Sequence, residues 1–140
     1  MIDLKRIVEQ TMDAIAQHDF GKLRKMYHEN YSYTGTDGHR QVGPESGVGI
    51  AELYTTAFPD LQFEIINMVT TGNFVVTEFI ANGTHQGDLM GIKPTNRKVS
   101  VPICNVAEIR EGKIYAEREY FDNVHLMQQL GVDVGHEHHA

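Results

Sequence analysis

Apolar residues recur at helical spacing through the first part of the chain and at alternate positions through most of the rest. Leu4, Ile7, Val8, Met12 and Ile15 share one face, which predicts an amphipathic helix of about four turns. Asp19 is placed to cap a short second helix whose apolar stripe is Phe20, Leu23, Met26 and Tyr27. Aromatics then alternate at the start of YSYTGTDGHRQVG before a run of turn formers, predicting a short strand and a loop. Pro44 opens a third helix with Ile50, Leu53, Tyr54, Ala57 and Phe58 on one stripe, and Pro59 stops it.

Beyond Pro59 the period changes from helical to two. LQFEIINMVTTGN and FVVTEFIANGTHQG meet at a Gly72-Asn73 turn, and RKVSVPICNVAEI and KIYAEREYFD meet at Glu111-Gly112 as a hairpin. Asp122 precedes NVHLMQQLG, a short closing helix whose Gly131 suits the C′ position. Helices first and an antiparallel sheet afterwards define an α+β domain in which a curved sheet wraps the helices. The pattern predicts one domain over residues 1–135 and a disordered tail, 136–140, at the end of GHEHHA.

Composition narrows the classes of partner. Hydrophobic residues are 41% and charged residues 22%, ordinary for a globular chain of 140 residues. Twelve basic against nineteen acidic residues give a net charge of −7, and the basic residues are dispersed, which argues against nucleic acid as a partner. No apolar run approaches membrane-spanning length and the N-terminus is charged at once, so neither a membrane span nor a secretory signal is expected. Cys104 is the single cysteine, which forbids an intramolecular disulfide and points to a cytoplasmic location.

Two residues stand out as candidates for chemistry. Counting by twos along the second long strand places His85 on the face of Gly83, Ala81, Phe79, Thr77 and Val75, which is mainly apolar, so its imidazole is expected to point inward. It reads as a hydrogen-bonded core histidine or as a functional one. Asp122, beside aromatic residues at the end of the last strand, reads either as the N-cap of the closing helix or as a carboxylate of raised pKa suited to proton transfer. HEHH at 136–139 is a weak metal motif, and His85 has no His, Cys or Glu at ligand spacing on its own strand. Tyr27, Tyr31, Tyr33 and Tyr54 offer hydroxyls to a pocket or pack as core aromatics. There is no G-x-S-x-G elbow and no phosphate-binding glycine motif.

AFPDL at 57–61, GTHQGDLMGIKPTNRKV at 83–99, REGKI at 110–114 and FDNVHLMQQLG at 121–131 together resemble the SnoaL-like polyketide cyclase family, also called the ester cyclases. The resemblance runs over nearly the whole chain. It implies the cone-shaped α+β barrel of the nuclear transport factor two-like superfamily: a strongly bent, mostly antiparallel sheet wrapping the N-terminal helices around a deep apolar pocket. It implies cofactor-free intramolecular aldol condensation, with Asp122 as acid/base and His85 as its partner. It further implies a small apolar carbonyl ligand held by Arg118, Tyr120, Phe79, Tyr33, Tyr54 and Phe58. The family's G-x-x-P-T-G turn has Asn96 in place of glycine, and Arg118 stands where the family often has tryptophan. A homodimer or homotetramer is implied as well, with Val99, Val101 and Ile103 expected on a face that a second subunit covers. The alternatives at this level are a non-catalytic ligand-binding or dimerisation module of the same fold, and a related hydroxylase or hydrolase.

Overall fold

The helices begin where short polar side chains meet free backbone N–H groups. In the computed structural model, which describes residues 2–133, Asp3 accepts from the amide of Arg6 at 3.2 Å to start α1 (Leu4–Ala16), and Asp19 accepts from Lys22 at 3.1 Å to start α2 (Phe20–Met26). The expected tail, 136–140, and its HEHH motif lie outside the described residues. β1 (Tyr27–Thr34) follows α2 with no loop, so Tyr27 opens a strand and does not extend the helical stripe. After β2 (Arg40–Val42), Pro44 occupies the first turn of α3 (Pro44–Ala57), where its missing N–H has no partner to lose. Four long strands follow: β3 (Gln62–Thr71), β4 (Phe74–Thr84), β5 (Lys98–Arg110) and β6 (Lys113–Tyr120). α4 (Asn123–Gln129) ends at Gly131, whose φ of 78° is the left-handed conformation expected of a C′ glycine.

The strands form one six-stranded sheet in the order β2-β1-β6-β5-β4-β3, antiparallel except for the β1–β6 pair. It is not closed into a barrel, since β2 and β3 are its edges. Two apolar clusters fill the inner face. Val8 and Ala14 of α1 and Val48 and Ala51 of α3 pack with Tyr27, Tyr31, Val75, Ala107 and Ile114, while Phe58, Phe79, Ala81, Val99 and Val101 pack with Leu126, Met127 and Leu130. Val99 and Val101 are therefore core residues, and Ile103 is half-buried on the same face. This corrects the expectation that these three form an outer, subunit-covered patch: strand parity makes them partners of Gly83, Ala81 and Phe79, which already face inward.

A bulge decides which side chains of β6 reach the interior. Glu108 pairs with Ala116 but Ile109 pairs with Ile114, so Tyr115 is an extra residue without a partner. Counting by twos back from Asp122 puts Ile114 with Arg118 and Tyr120. The bulge breaks that count and places Ile114 on the same side as Glu117, Glu119 and Phe121. Tyr115 itself is taken up outside the core, stacked by the Arg110 guanidinium at 3.8 Å and edge-on to His28.

Candidate functional site

Between the two apolar clusters lies a cavity of about 130 Å³, walled from both of them. Its wall is mostly apolar; Thr11 of α1 and Tyr54 of α3 bring hydroxyls to it, and the remaining polar side chains gather on the sheet. Thr77, Asn105 and Glu119 are directly opposite one another across β4, β5 and β6, and Glu117 stands two residues before Glu119 on the same face. The amide nitrogen of Asn105 donates to Glu117 Oε2 at 3.2 Å and to Glu119 Oε2 at 3.1 Å. Tyr33 donates its hydroxyl to Glu119 Oε1 at 3.0 Å, and the Tyr31 hydroxyl donates to Glu117 Oε1.

These two carboxyl groups are thus bridged by one amide and capped by two phenols. No lysine, arginine or histidine forms an ion pair with either among the described residues. Burial raises the Glu117 carboxyl first, the neighbouring Glu119 charge raises it further, and the bonds from Tyr31 and Asn105 offset only part; the result is a group pushed up to about 7. Glu119 is raised by burial too, against the bonds from Asn105 and Tyr33. Two interacting carboxyls in one low-dielectric site titrate as a pair, and near neutral pH they hold a proton between them. Tyr27, Tyr31, Tyr33 and Tyr54 are all pushed up, by burial above all and then by the carboxylates, so each remains a protonated donor.

The raised Glu117 carboxyl ties stability to pH. Its folded pKa lies above the ordinary 4.5, so the native state binds this proton more tightly than the unfolded chain. The stabilisation is complete below about pH 4.5 and is lost as pH rises through about 7, amounting to roughly 1–3 kcal/mol. Melting temperature measured at about pH 5 and about pH 7.5 is expected to fall between the two in the parent and to change less in Glu117→Gln. An equal fall in both would remove Glu117 as its source.

The side chains singled out in the sequence separate into three groups. Phe79, Tyr33, Tyr54 and Phe58 line the cavity. Arg118 and Tyr120 do not: both are exposed, Tyr120 at 52%, on the outer face of β6, because parity beyond the Tyr115 bulge gives the inner face to Glu117 and Glu119. His85 and Asp122 are absent from the cavity wall and are not brought together there.

Asp122 is exposed and accepts from the amide of His125 at 3.0 Å as the N-cap of α4. His85 is fully buried, as its parity predicts, but it is held within its own hairpin. The Thr95 backbone N–H donates to Nδ1 at 3.2 Å, with Thr95 Oγ1 at 3.0 Å, so Nδ1 is the acceptor and Nε2 carries the proton. The backbone of His85 bonds Arg97 O and Asn96 N, and Asn96 has the positive φ, 60°, that its place in the turn calls for.

The signal that would have found the acidic pair was present in the alternation. KIYAEREYFD carries Glu117, Glu119 and Phe121 at alternate positions, and two carboxylates sharing the parity of an aromatic core residue are out of place on a solvent face. Asn105 between Ile103 and Ala107 is the same kind of interruption. Among the described residues no three His, Cys, Asp or Glu side chains are arranged to hold a metal ion, and no helix is long and apolar enough to cross a membrane.

A cone-like α+β fold with acidic groups on the inner wall of an apolar cavity defines the class. A family model for SnoaL-like polyketide cyclases matches residues 5–130, and the chain belongs to that family. It is 26% identical over 106 residues to the aklanonic acid methyl ester cyclase AcmA of Streptomyces galilaeus, 74% of each chain being covered. Among solved structures, IdmH of Streptomyces antibioticus, a candidate polyketide cyclase, superposes with a TM-score of 0.81 at 25% identity, over 93% of this chain and 99% of that one. A SnoaL-like protein of Jannaschia sp. CCS1 superposes with a TM-score of 0.85 at 19% identity, over 93% and 92%, which speaks for the fold alone.

Proposed function

We propose that the protein catalyses cofactor-independent proton transfer α to a carbonyl, in the service of an aldol-type ring closure of a small polyketide-like substrate, with Glu119 and Glu117 as the acid/base pair. The observation that carries this reading is the pair itself: two carboxyl groups on the wall of a mostly apolar cavity, raised by burial and, among the described residues, bonded to neutral donors. Such a pair supplies a base and an acid at one pH. Glu119 as carboxylate removes the α-proton; the enolate carbon attacks a second carbonyl of the same molecule, forming the C–C bond; the resulting alkoxide takes its proton from the acid form of the pair. A cavity that holds both ends of the substrate together contributes through proximity, roughly 7–11 kcal/mol in well-oriented intramolecular reactions.

The relatives' names support the reaction type, AcmA being a cyclase by name. In this reading the two residues marked by family resemblance have supporting parts: Asp122 starts α4, and His85 pins the 85–97 hairpin. Any homodimer or homotetramer has the outer sheet surface to draw on, where Ile66, Val69 and Tyr120 stand exposed.

The test uses 2-tetralone, a bicyclic ketone with acidic α-protons, in deuterated buffer. The parent protein is expected to speed its α-deuteration, followed by NMR, well above the buffer rate. A rate that stays at the buffer level with 2-tetralone demonstrably bound would make the protein a non-catalytic binding module of this fold.

A further inference from the structure

We propose that Thr77 is a ligand-binding residue whose hydroxyl donates to a ligand carbonyl or enolate oxygen, fixing that oxygen beside the acidic pair. The inference deepens the acid/base reading of the same cavity and rests on it. Val75, Phe79, Ala81 and Gly83 are the other inward residues of β4 and none carries a polar side chain, yet Thr77, at 1% exposure, is among the most buried side chains of the described residues. Its Oγ1 has no hydrogen-bond partner among the described residues. Valine has nearly the same shape and would fill the position without burying an unpaired hydroxyl, so the protein's own packing gives no reason for the oxygen.

Register supplies the reason. Thr77 lines the cavity and is directly opposite Asn105, which is directly opposite Glu119, so the three form one row across adjacent strands. Asn105 directs its amide hydrogens to Glu117 and Glu119 and makes no bond to Thr77. Strands are about 4.8 Å apart, which puts the backbones of Thr77 and Glu119 roughly 10 Å from each other on the same concave wall. The long glutamate side chain closes part of that span, and a carbonyl oxygen with its α-carbon fits what remains. An oxygen held by Thr77 thus has its α-carbon directed at Glu119, and the developing enolate oxygen keeps a donor throughout. The substrate class follows: a ketone or ester whose acidic C–H is adjacent to the oxygen that Thr77 binds, the rest of the molecule being apolar.

The test uses 2-naphthol, which presents an oxygen where the enolate of 2-tetralone has one, and naphthalene, which lacks it. The chain has no tryptophan, so naphthol fluorescence excited beyond tyrosine absorption reports binding directly, and naphthalene affinity follows from displacement of bound naphthol. Thr77→Val is expected to fold at least as stably as the parent, to bind 2-naphthol roughly tenfold more weakly and to bind naphthalene unchanged. Thr77→Ser, which keeps the hydroxyl, is expected to restore the preference for naphthol. Equal loss of both ligands in Thr77→Val would show a packing effect and overturn the proposal, as would unchanged affinity for both or a parent that does not prefer naphthol over naphthalene. Failure of the acid/base reading is seen elsewhere, as 2-tetralone exchange indifferent to Glu119→Gln, and is therefore distinguishable from failure at Thr77.

Discussion

Glu119→Gln is expected to slow α-deuteration of 2-tetralone by about 10²- to 10⁴-fold, the usual contribution of a positioned general base. The amide keeps the shape of the side chain: its oxygen can accept from Asn105 while its NH2 donates to the Tyr33 hydroxyl oxygen, so the cavity wall survives while its basicity does not. Removing the Glu119 charge also relieves Glu117, whose carboxyl is raised in part by that neighbour, so the variant should melt no lower than the parent at neutral pH. The paired measurement is Asp122→Asn. Asparagine caps a helix about as well as aspartate, so a residue whose carboxylate accepts from the His125 amide at the start of α4 should show nearly parental exchange and stability. A collapse of exchange in Asp122→Asn with Glu119→Gln unaffected would return the acid/base role to Asp122 and reject the cavity pair.

The largest expected effect on stability is at Gly87. A Cβ there would run into the backbone carbonyl oxygen of Thr56, which no side-chain rotation can move aside. The same stretch lies on the end of α3 by its backbone, Gln86 N and Gly87 N donating to Ala57 O at 3.0 and 3.1 Å. At Gly83 a Cβ would come within 2.9 Å of Phe58 Cβ. The glycines of G-T-H-Q-G are thus contact points where the hairpin lies directly against α3 and its cap residue, and His85 is buried among them. Gly87→Ala should cost about 3 kcal/mol or more, because either those two bonds or the α3 terminus must shift. For a domain of this size that is a fall of roughly 10 °C in melting temperature, readable by circular dichroism. A melting temperature within a degree or two of the parent would show that the hairpin can lift from α3 freely.

Much of the architecture was legible because it is local. Asp19 and Asp122 are followed by helices, Pro44 opens one and Gly131 follows one, since cap chemistry needs only the few residues on either side. The turns at Gly72-Asn73 and Glu111-Gly112 join the strands predicted for them, and Gly72, Glu111 and Gly112 all have positive φ. Inward parity in β4 was likewise readable, giving Phe79 on the cavity wall and His85 in the interior. What a motif is for was not legible in the same way: G-T-H-Q-G marks a close approach to α3, a contact about thirty residues away along the chain.

The site itself depended on relations that alternation cannot express. Parity holds only while a strand is regular, and Tyr115 interrupts β6 just before Glu117, so Arg118 and Tyr120 face out and the glutamates face in. The pairing of Asn105 with Glu119 and of Tyr33 with Glu117 is set by register between strands distant in sequence, and the parallel β1–β6 pair is what places the two phenols over the carboxyls. Their raised pKa values come from burial, which exists only once α1, α3 and α4 lie against the inner face. The sequence alone therefore determined most of the elements, several of the caps and turns that bound them, and the family, because these rest on neighbouring residues and recurrent motifs. Only the tertiary structure decided which carboxylates share the cavity and which one caps a helix, because a one-residue bulge and a cross-strand register turn the same side chains toward protein or toward water.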